Sequence, residues 1–217
     1  MINKNNFSID VFCNAPLASD EPFYDFGFER DIHLTAALNE THIKGTALEF
    51  GVYRGHTINI IANRLADDKI WGFDSFEGLP EDWFMRSDET VPKWHKGMFS
   101  MDAMPWVNKN VTLVKGWFDE SIPKWLETNS TEPIKFLHID CDLYSSAATV
   151  LSKLNSLIVP GTVIVFDEMY NWRHPSSFDL WHQCEYRALK EWIETYNRSF
   201  VPLYRNQYMQ CSLKVVE

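Results

Sequence analysis

The chain has 217 residues, 45% hydrophobic and 23% charged, which suits one folded core and excludes a largely disordered protein. Its formal charge of −10 and pI near 5.1, with no basic block anywhere, exclude a nucleic-acid partner, because phosphate binding needs clustered Lys and Arg. No apolar run approaches the roughly 20 residues of a membrane span, so no membrane partner is expected.

The amino terminus, MINKNNFSID, lacks the apolar centre of a signal peptide. Cys13, Cys141, Cys184 and Cys211 show no CxxC spacing and read as reduced thiols. Both features predict a cytoplasmic protein acting on a small molecule.

Residues 1–45 are polar and mixed, and are expected to form a separate amino-terminal cap before a main domain at 46–217. TALEFGV is a short apolar run that predicts a buried strand, and HTINIIANRL places Ile58, Ile61, Ala62 and Leu65 at helical spacing. KIWGFD predicts a second strand. Residues 75–110 then lose periodicity and are rich in Trp, Met, Pro and Gly, a length that marks a lid or cap insertion, set here at about 79–110. Order resumes with VTLVKG as a strand, ESIPKWLE as a helix, PIKFLHID as a strand and SSAATVLSKLNSLI as a helix. Pro160-Gly161 reads as a turn into a fifth strand, TVIVFD. A helix over about 179–196 and two extended runs, SFVPLYR and YMQCSLKVV, complete the chain. Strands alternating with helices predict the α/β class: a doubly wound, mostly parallel sheet with a C-terminal antiparallel hairpin.

Ligands of such sheets lie beyond the carboxyl ends of the strands, and all five parallel strands end in residues able to do chemistry. After the first come Glu49, Gly51, Tyr53, Gly55 and Thr57, in the spacing E-x-G-x-x-x-G. Two glycines between strand and helix allow a tight turn and close approach to a ligand. Asp74 closes the second strand 23 residues after Gly51, where an acid can accept two hydrogen bonds from ribose hydroxyls. Gly116, Trp117 and Phe118 follow the third strand. The two aromatic rings suit a purine clamp and core packing equally. Asp140-Cys141-Asp142 follows the fourth strand and Asp167-Glu168 the fifth. Acids gathered at one sheet edge repel unless a cation or shared protons relieve them, and an all-oxygen set suits Mg²⁺ or Mn²⁺.

Five stretches, LEFGVYRGHT, GFDSFEGLP, VKGWFDESIP, LHIDCDLYSSA and PGTVIVFDE, together resemble the macrocin O-methyltransferase family in consistent order over about 33–191. The wider architecture is similar to catechol O-methyltransferase, a Rossmann-like class I methyltransferase. The resemblance implies a metal-dependent enzyme that moves a methyl group from S-adenosylmethionine to a hydroxyl of a sugar or other natural-product acceptor. Glu49, Gly51, Tyr53, Gly55 and Thr57 would then serve the methionine end of the cofactor. Asp74 and Ser75 would serve its ribose, Gly116, Trp117 and Phe118 its adenine, and Asp140 would lie beside it. Asp140, Asp167 and Glu168 would ligate the metal, with glutamate at the last position where the family usually has aspartate. The catechol enzyme's lysine base falls at Leu143, so Asp142 is the nearest substitute, ahead of His138, His174 and His182, and Asp140 and Asp142 form the catalytic pair. The aromatic residues Phe23, Tyr24, Phe26 and Phe28, with the segment from Trp83 to Trp106, would cover a glycoside acceptor. The resemblance is also compatible with a homo-oligomer. A nicotinamide dehydrogenase is the competing enzyme reading, disfavoured by the glycine spacing. A non-catalytic S-adenosylmethionine-binding module is the competing reading from another class.

Overall fold

The computed structural model describes residues 1–19, 26–129 and 131–217, so the expected covering residues Phe23 and Tyr24 lie outside the described residues. Seven strands form one sheet: β1 (Thr46–Phe50), β2 (Ile70–Asp74), β3 (Val111–Lys115), β4 (Ile134–Ile139), β5 (Ile158–Phe166), β6 (Phe200–Arg205) and β7 (Cys211–Val215). Their order across the sheet is β3-β2-β1-β4-β5-β7-β6. The first five run parallel. β7 pairs antiparallel with β5, and β6 antiparallel with β7, so the closing hairpin expected from the sequence is present.

Strands buried on both faces need apolar residues at successive positions, and every residue of β1 and β4 is buried. Alternate residues feed two cores. Leu48, Phe50, Leu137, Ile139, Ile164 and Phe166 point toward α4 (Phe118–Asn129), α5 (Tyr144–Leu154) and α6 (Glu185–Tyr196). Ala47, Phe136, Val163 and Val165 point toward α2 (Phe26–Asn39) and α3 (His56–Arg64). α5 buries Ala147, Val150, Leu151 and Leu154, the spacing of one helical face.

Three boundaries differ from expectation. β5 begins at Ile158 and runs through Pro160-Gly161, where Gly161 adopts φ +97° against Ile43, so this dipeptide bends a strand instead of preceding one. The last helix starts at Glu185, because residues 175–183 form two short 3-10 turns. The amino-terminal region contains α1 (Asp10–Cys13) and the 14-residue α2, whose periodicity the sequence did not reveal. Its first residues also pair with the sheet edge: Ile2 bridges to Phe200, and the buried Phe12 ring stacks on Phe200.

The parallel ladder continues one residue past each strand, and this feature positions the site. Gly51 donates to Phe73 O, Gly116 to Asp74 O, Asp140 to Phe50 O and Asp167 to Ile139 O, all at 2.9–3.0 Å. Asp74, Gly51, Asp140 and Asp167 therefore stand side by side at one edge. Between β1 and β4 the direction of winding reverses, the switch point where open sheets bind ligands. Close approach there requires glycine: Gly51 has φ +92°, and a Cβ on it would lie 1.6 Å from Asp140 O. Gly51→Ala is expected to destabilise the fold by ~2 kcal/mol or more, measured by urea unfolding, because neither backbone can withdraw without breaking the ladder.

Candidate active site

The strand tips open into a cavity of about 820 Å³, within the range of small-molecule sites. Of the residues expected at the cofactor, Gly51, Tyr53, Thr57, Asp74, Ser75 and Trp117 line it, and so does Phe118. Asp140, Asp142, Asp167 and Glu168 line it as well. Glu49, Gly55 and Gly116 are not in its wall. Glu49 is fully buried beneath, and Gly55 packs against the backbone at Trp106.

Asp74 anchors the glycine turn. Its Oδ2 accepts from the backbone N–H of Val52 (2.9 Å) and Tyr53 (2.8 Å), and its Oδ1 from that of Phe76 (2.7 Å). A carboxylate has about four acceptor sites, and the backbone takes three of those on Asp74. Ser75 Oγ is likewise engaged, accepting from Glu77 N and donating to Gly78 O. Phe118 resolves the aromatic ambiguity in both directions: it stands edge-on to Phe50 in the core at 5.1 Å while also facing the cavity.

The carboxylates lie in two overlapping groups. His138, Asp140 and Asp167 bring ligand atoms within 4.8 Å of one another, and so do Asp140, Asp142 and Glu168. Asp140 belongs to both, Asp167 only to the first and Glu168 only to the second, so the expected set of Asp140, Asp167 and Glu168 is divided between the two groups. Asp167 Oδ1 and Glu168 Oε2 have no hydrogen-bond partner, but Asp167 Oδ1 lies 3.6 Å from His138 Nε2, so the group made of oxygen donors alone is Asp140, Asp142 and Glu168. Oxygen donors so disposed fit a hard divalent cation.

Burial and then the charge of Asp167 raise Asp140 well above the usual carboxylate range. The same causes, with Asp74, push Asp142 up to about 7. Glu168 is raised well above its ordinary value by burial and by Asp167. Asp167 moves the other way: burial raises it, but His138 and Arg30 outweigh burial and hold it low. Arg30, on α2, lines the cavity, and the charges of Asp167 and Asp140 raise its pKa against the lowering effect of burial. The sequence reading missed Arg30 because no motif surrounds it.

His138 is a structural cation and does not reach the cavity. It neighbours Glu49 in the β1–β4 register, its Nδ1 lies 3.0 Å from Glu49 Oε2, and its Nε2 lies 3.6 Å from Asp167 Oδ1. Thr57 Oγ1 donates to Glu49 Oε1 (3.2 Å), so one buried chain joins the start of α3 to the acidic loops. His174 and His182 are exposed and, like His138, lie outside the cavity wall, whereas Asp142 lines it.

The irregular segment supplies the opposite wall. Trp83 and Trp94 pair through their backbones, and the rings of Tyr53, Phe99 and Trp94 form a row with centroids 5.5 and 5.4 Å apart. Arg54 sits over the Tyr53 end and Lys93 over the Trp94 end.

A family model described as macrocin-O-methyltransferase matches residues 27–191. A tetracenomycin-pathway rhamnosyl 4'-O-methyltransferase from Streptomyces olivaceus is 25% identical, aligned over 58% of this chain and 53% of its own length. The demethyldecarbamoylnovobiocin O-methyltransferase of Streptomyces niveus is 22% identical with the same coverage, so the chain spans about half the length of the curated relatives it matches. Among solved structures, the calicheamicin methyltransferase CalS11 superposes with a TM-score of 0.67 at 21% identity, covering 86% of this chain and 79% of its own. An O-methyltransferase from Bacillus cereus in complex with SAH superposes with a TM-score of 0.54 at 16% identity, covering 94% and 86%. These likenesses show the fold.

Burial works to lower His138, but Asp167 and Glu49 raise its pKa from 6.5 to about 10. The folded value exceeds the ordinary one, so the protonated form stabilises the fold fully below pH 6.5 and this contribution fades as pH approaches 10. With chelator present, the stability gap between wild type and His138→Gln in urea is expected to be widest below pH 6.5 and to narrow steadily above it. A gap that stays constant over that range contradicts the ion pair.

Proposed function

Because the chain belongs to the macrocin-O-methyltransferase family, we propose that it transfers a methyl group from S-adenosylmethionine to a hydroxyl of a glycoside or similar natural-product acceptor, aided by Mg²⁺ or Mn²⁺. The observation that carries this reading is the meeting, in one cavity, of the Gly51 turn, Asp74 and the carboxylates of Asp140, Asp142, Asp167 and Glu168. The dehydrogenase alternative falls with the family.

On this reading the Gly51–Thr57 turn holds the methionine end of the cofactor, the remaining acceptor site of Asp74 takes one ribose hydroxyl, and Trp117 and Phe118 flank the adenine. Asp140, Asp167 and Glu168 hold the metal, with Asp142 adjoining. When bound, the cofactor supplies an electrophilic sulfonium methyl and the metal a Lewis acid that acidifies the acceptor hydroxyl. Asp142, whose carboxyl pKa is pushed up to about 7 by burial and Asp167, stands in the cavity wall and is suited to take the hydroxyl proton. Tyr53, Phe99 and Trp94 offer flat apolar faces to a sugar ring and keep water from it. The protein's contribution is chiefly alignment in a dry site.

Methyl transfer from labelled S-adenosylmethionine to a panel of glycosides is expected to stop after EDTA treatment and to return with Mg²⁺. Asp140→Asn is expected to lower the rate more than about 100-fold, beyond the loss typical of an outer-sphere partner. Undiminished transfer after chelation would remove the metal from the reaction.

A further inference from the structure

Glu185 is the first residue of α6 and is completely buried, although an acid at a helix start ordinarily faces solvent. Its side chain turns inward beneath the two acid-bearing loops. Oε1 accepts from the N–H of Cys141 (3.4 Å), between Asp140 and Asp142, and Oε2 accepts from the N–H of Glu168 (3.1 Å). Among the described residues no ion pair reaches Glu185. A buried carboxylate without a cation is costly, and an apolar residue at this helix position would pack with Ala188 and Leu189 at no such cost. What the carboxylate alone provides is two acceptors about 2 Å apart, one for each loop.

Resting on the metal-dependent reading above, we propose that Glu185 is a positioning residue, a clasp that joins the loop after β4 to the loop after β5 and sets the spacing of the carboxylates that receive the cation. β4 and β5 are tied by their ladder only as far as Asp167 N to Ile139 O. Beyond that point the loops diverge into separate helices, and Asp142 departs into φ +64°. Glu185 reaches both from the first turn of α6, 17 residues beyond Glu168. It touches neither cavity nor cofactor, so it affects cation binding through backbone placement. The sequence shows only an acid within the helix expected at about 179–196, since its inward direction depends on where α6 starts and how it lies against the sheet.

The test compares full-length wild type with Glu185→Gln, a near-isostere that keeps one acceptor and turns an N–H₂ toward the other loop's N–H. Mn²⁺ affinity is read by electron paramagnetic resonance of the free ion, and S-adenosylhomocysteine affinity by calorimetry without metal. Mn²⁺ affinity is expected to fall roughly 10- to 100-fold, as for outer partners of metal ligands, with S-adenosylhomocysteine affinity unchanged. A variant that binds Mn²⁺ like wild type overturns the clasp alone. Equal losses of both affinities make Glu185 a general support of the fold and also overturn it. Wild type that takes up no Mn²⁺ removes the metal-dependent reading and the clasp with it. Should the variant fail to fold, amide exchange in wild type decides: the Cys141 and Glu168 N–H groups are expected to be protected, and exchange at exposed-loop rates overturns the proposal.

Discussion

Parallel pairing carries the acids of this protein to one edge whether or not they repel. Each strand of the central five ends within one residue of its neighbour, so Asp74, Asp140 and Asp167 stand in line, and Asp142 and Glu168 follow directly. The backbone hydrogen bonds that set this line continue the sheet's own ladder, so the acids cannot separate without breaking it. Their mutual charge must then be met chemically. Protons meet part of it, as the raised values of Asp140, Asp142 and Glu168 show, and Arg30 and His138 meet another part. A doubly charged ion meets the remainder on the proposed reading, held where the two carboxylate groups overlap at Asp140.

The same constraint links the two halves of the cavity. Glu49 lies under the glycine turn and Asp167 on the acidic side, and His138 spans the distance between them inside the sheet. Because all three are buried, a change in charge at either end reaches the other through low-dielectric protein instead of water. Asp74 performs a comparable duty at the surface of the cavity, where three backbone N–H groups fix the turn before any ligand arrives. The site is largely organised in advance, which reduces the ordering cost of binding.

Much of this was legible in the sequence, for a physical reason. β1, β4 and the end of β5 are short, mostly apolar runs, broken in β1 by Glu49 and in β4 by Lys135 and His138, and a glycine or an acid follows each where the chain leaves the core, so strand and site residue appear together in the letters. The helices with a clear apolar stripe, α3 and α5, were equally visible. α2 was not, since it buries Leu34, Ala37 and Leu38 but also His33 and Glu29, which blur its periodicity. Pro160-Gly161 was read as a turn because its usual meaning is local, whereas here a neighbouring strand overrides it. Arg30 and Glu185 were invisible as site residues: Arg30 acts on Asp140 and Asp167, more than 100 residues away, Glu185 on backbone N–H groups 17 and 44 residues before it, and nothing in the immediate neighbours of either announces a partner. Asp74 was found, but its prior commitment to the backbone of Val52, Tyr53 and Phe76 could only emerge from geometry.

The central claim is that strand-end oxygens trap a divalent ion beside the cofactor cavity. It is tested most directly by anomalous X-ray diffraction from crystals grown with Mn²⁺ and S-adenosylhomocysteine. The account predicts one anomalous peak within bonding distance of carboxylate oxygens from Asp140, Asp167 and Glu168, next to density for the cofactor product. Clear density for the product with no anomalous peak at those oxygens would contradict it.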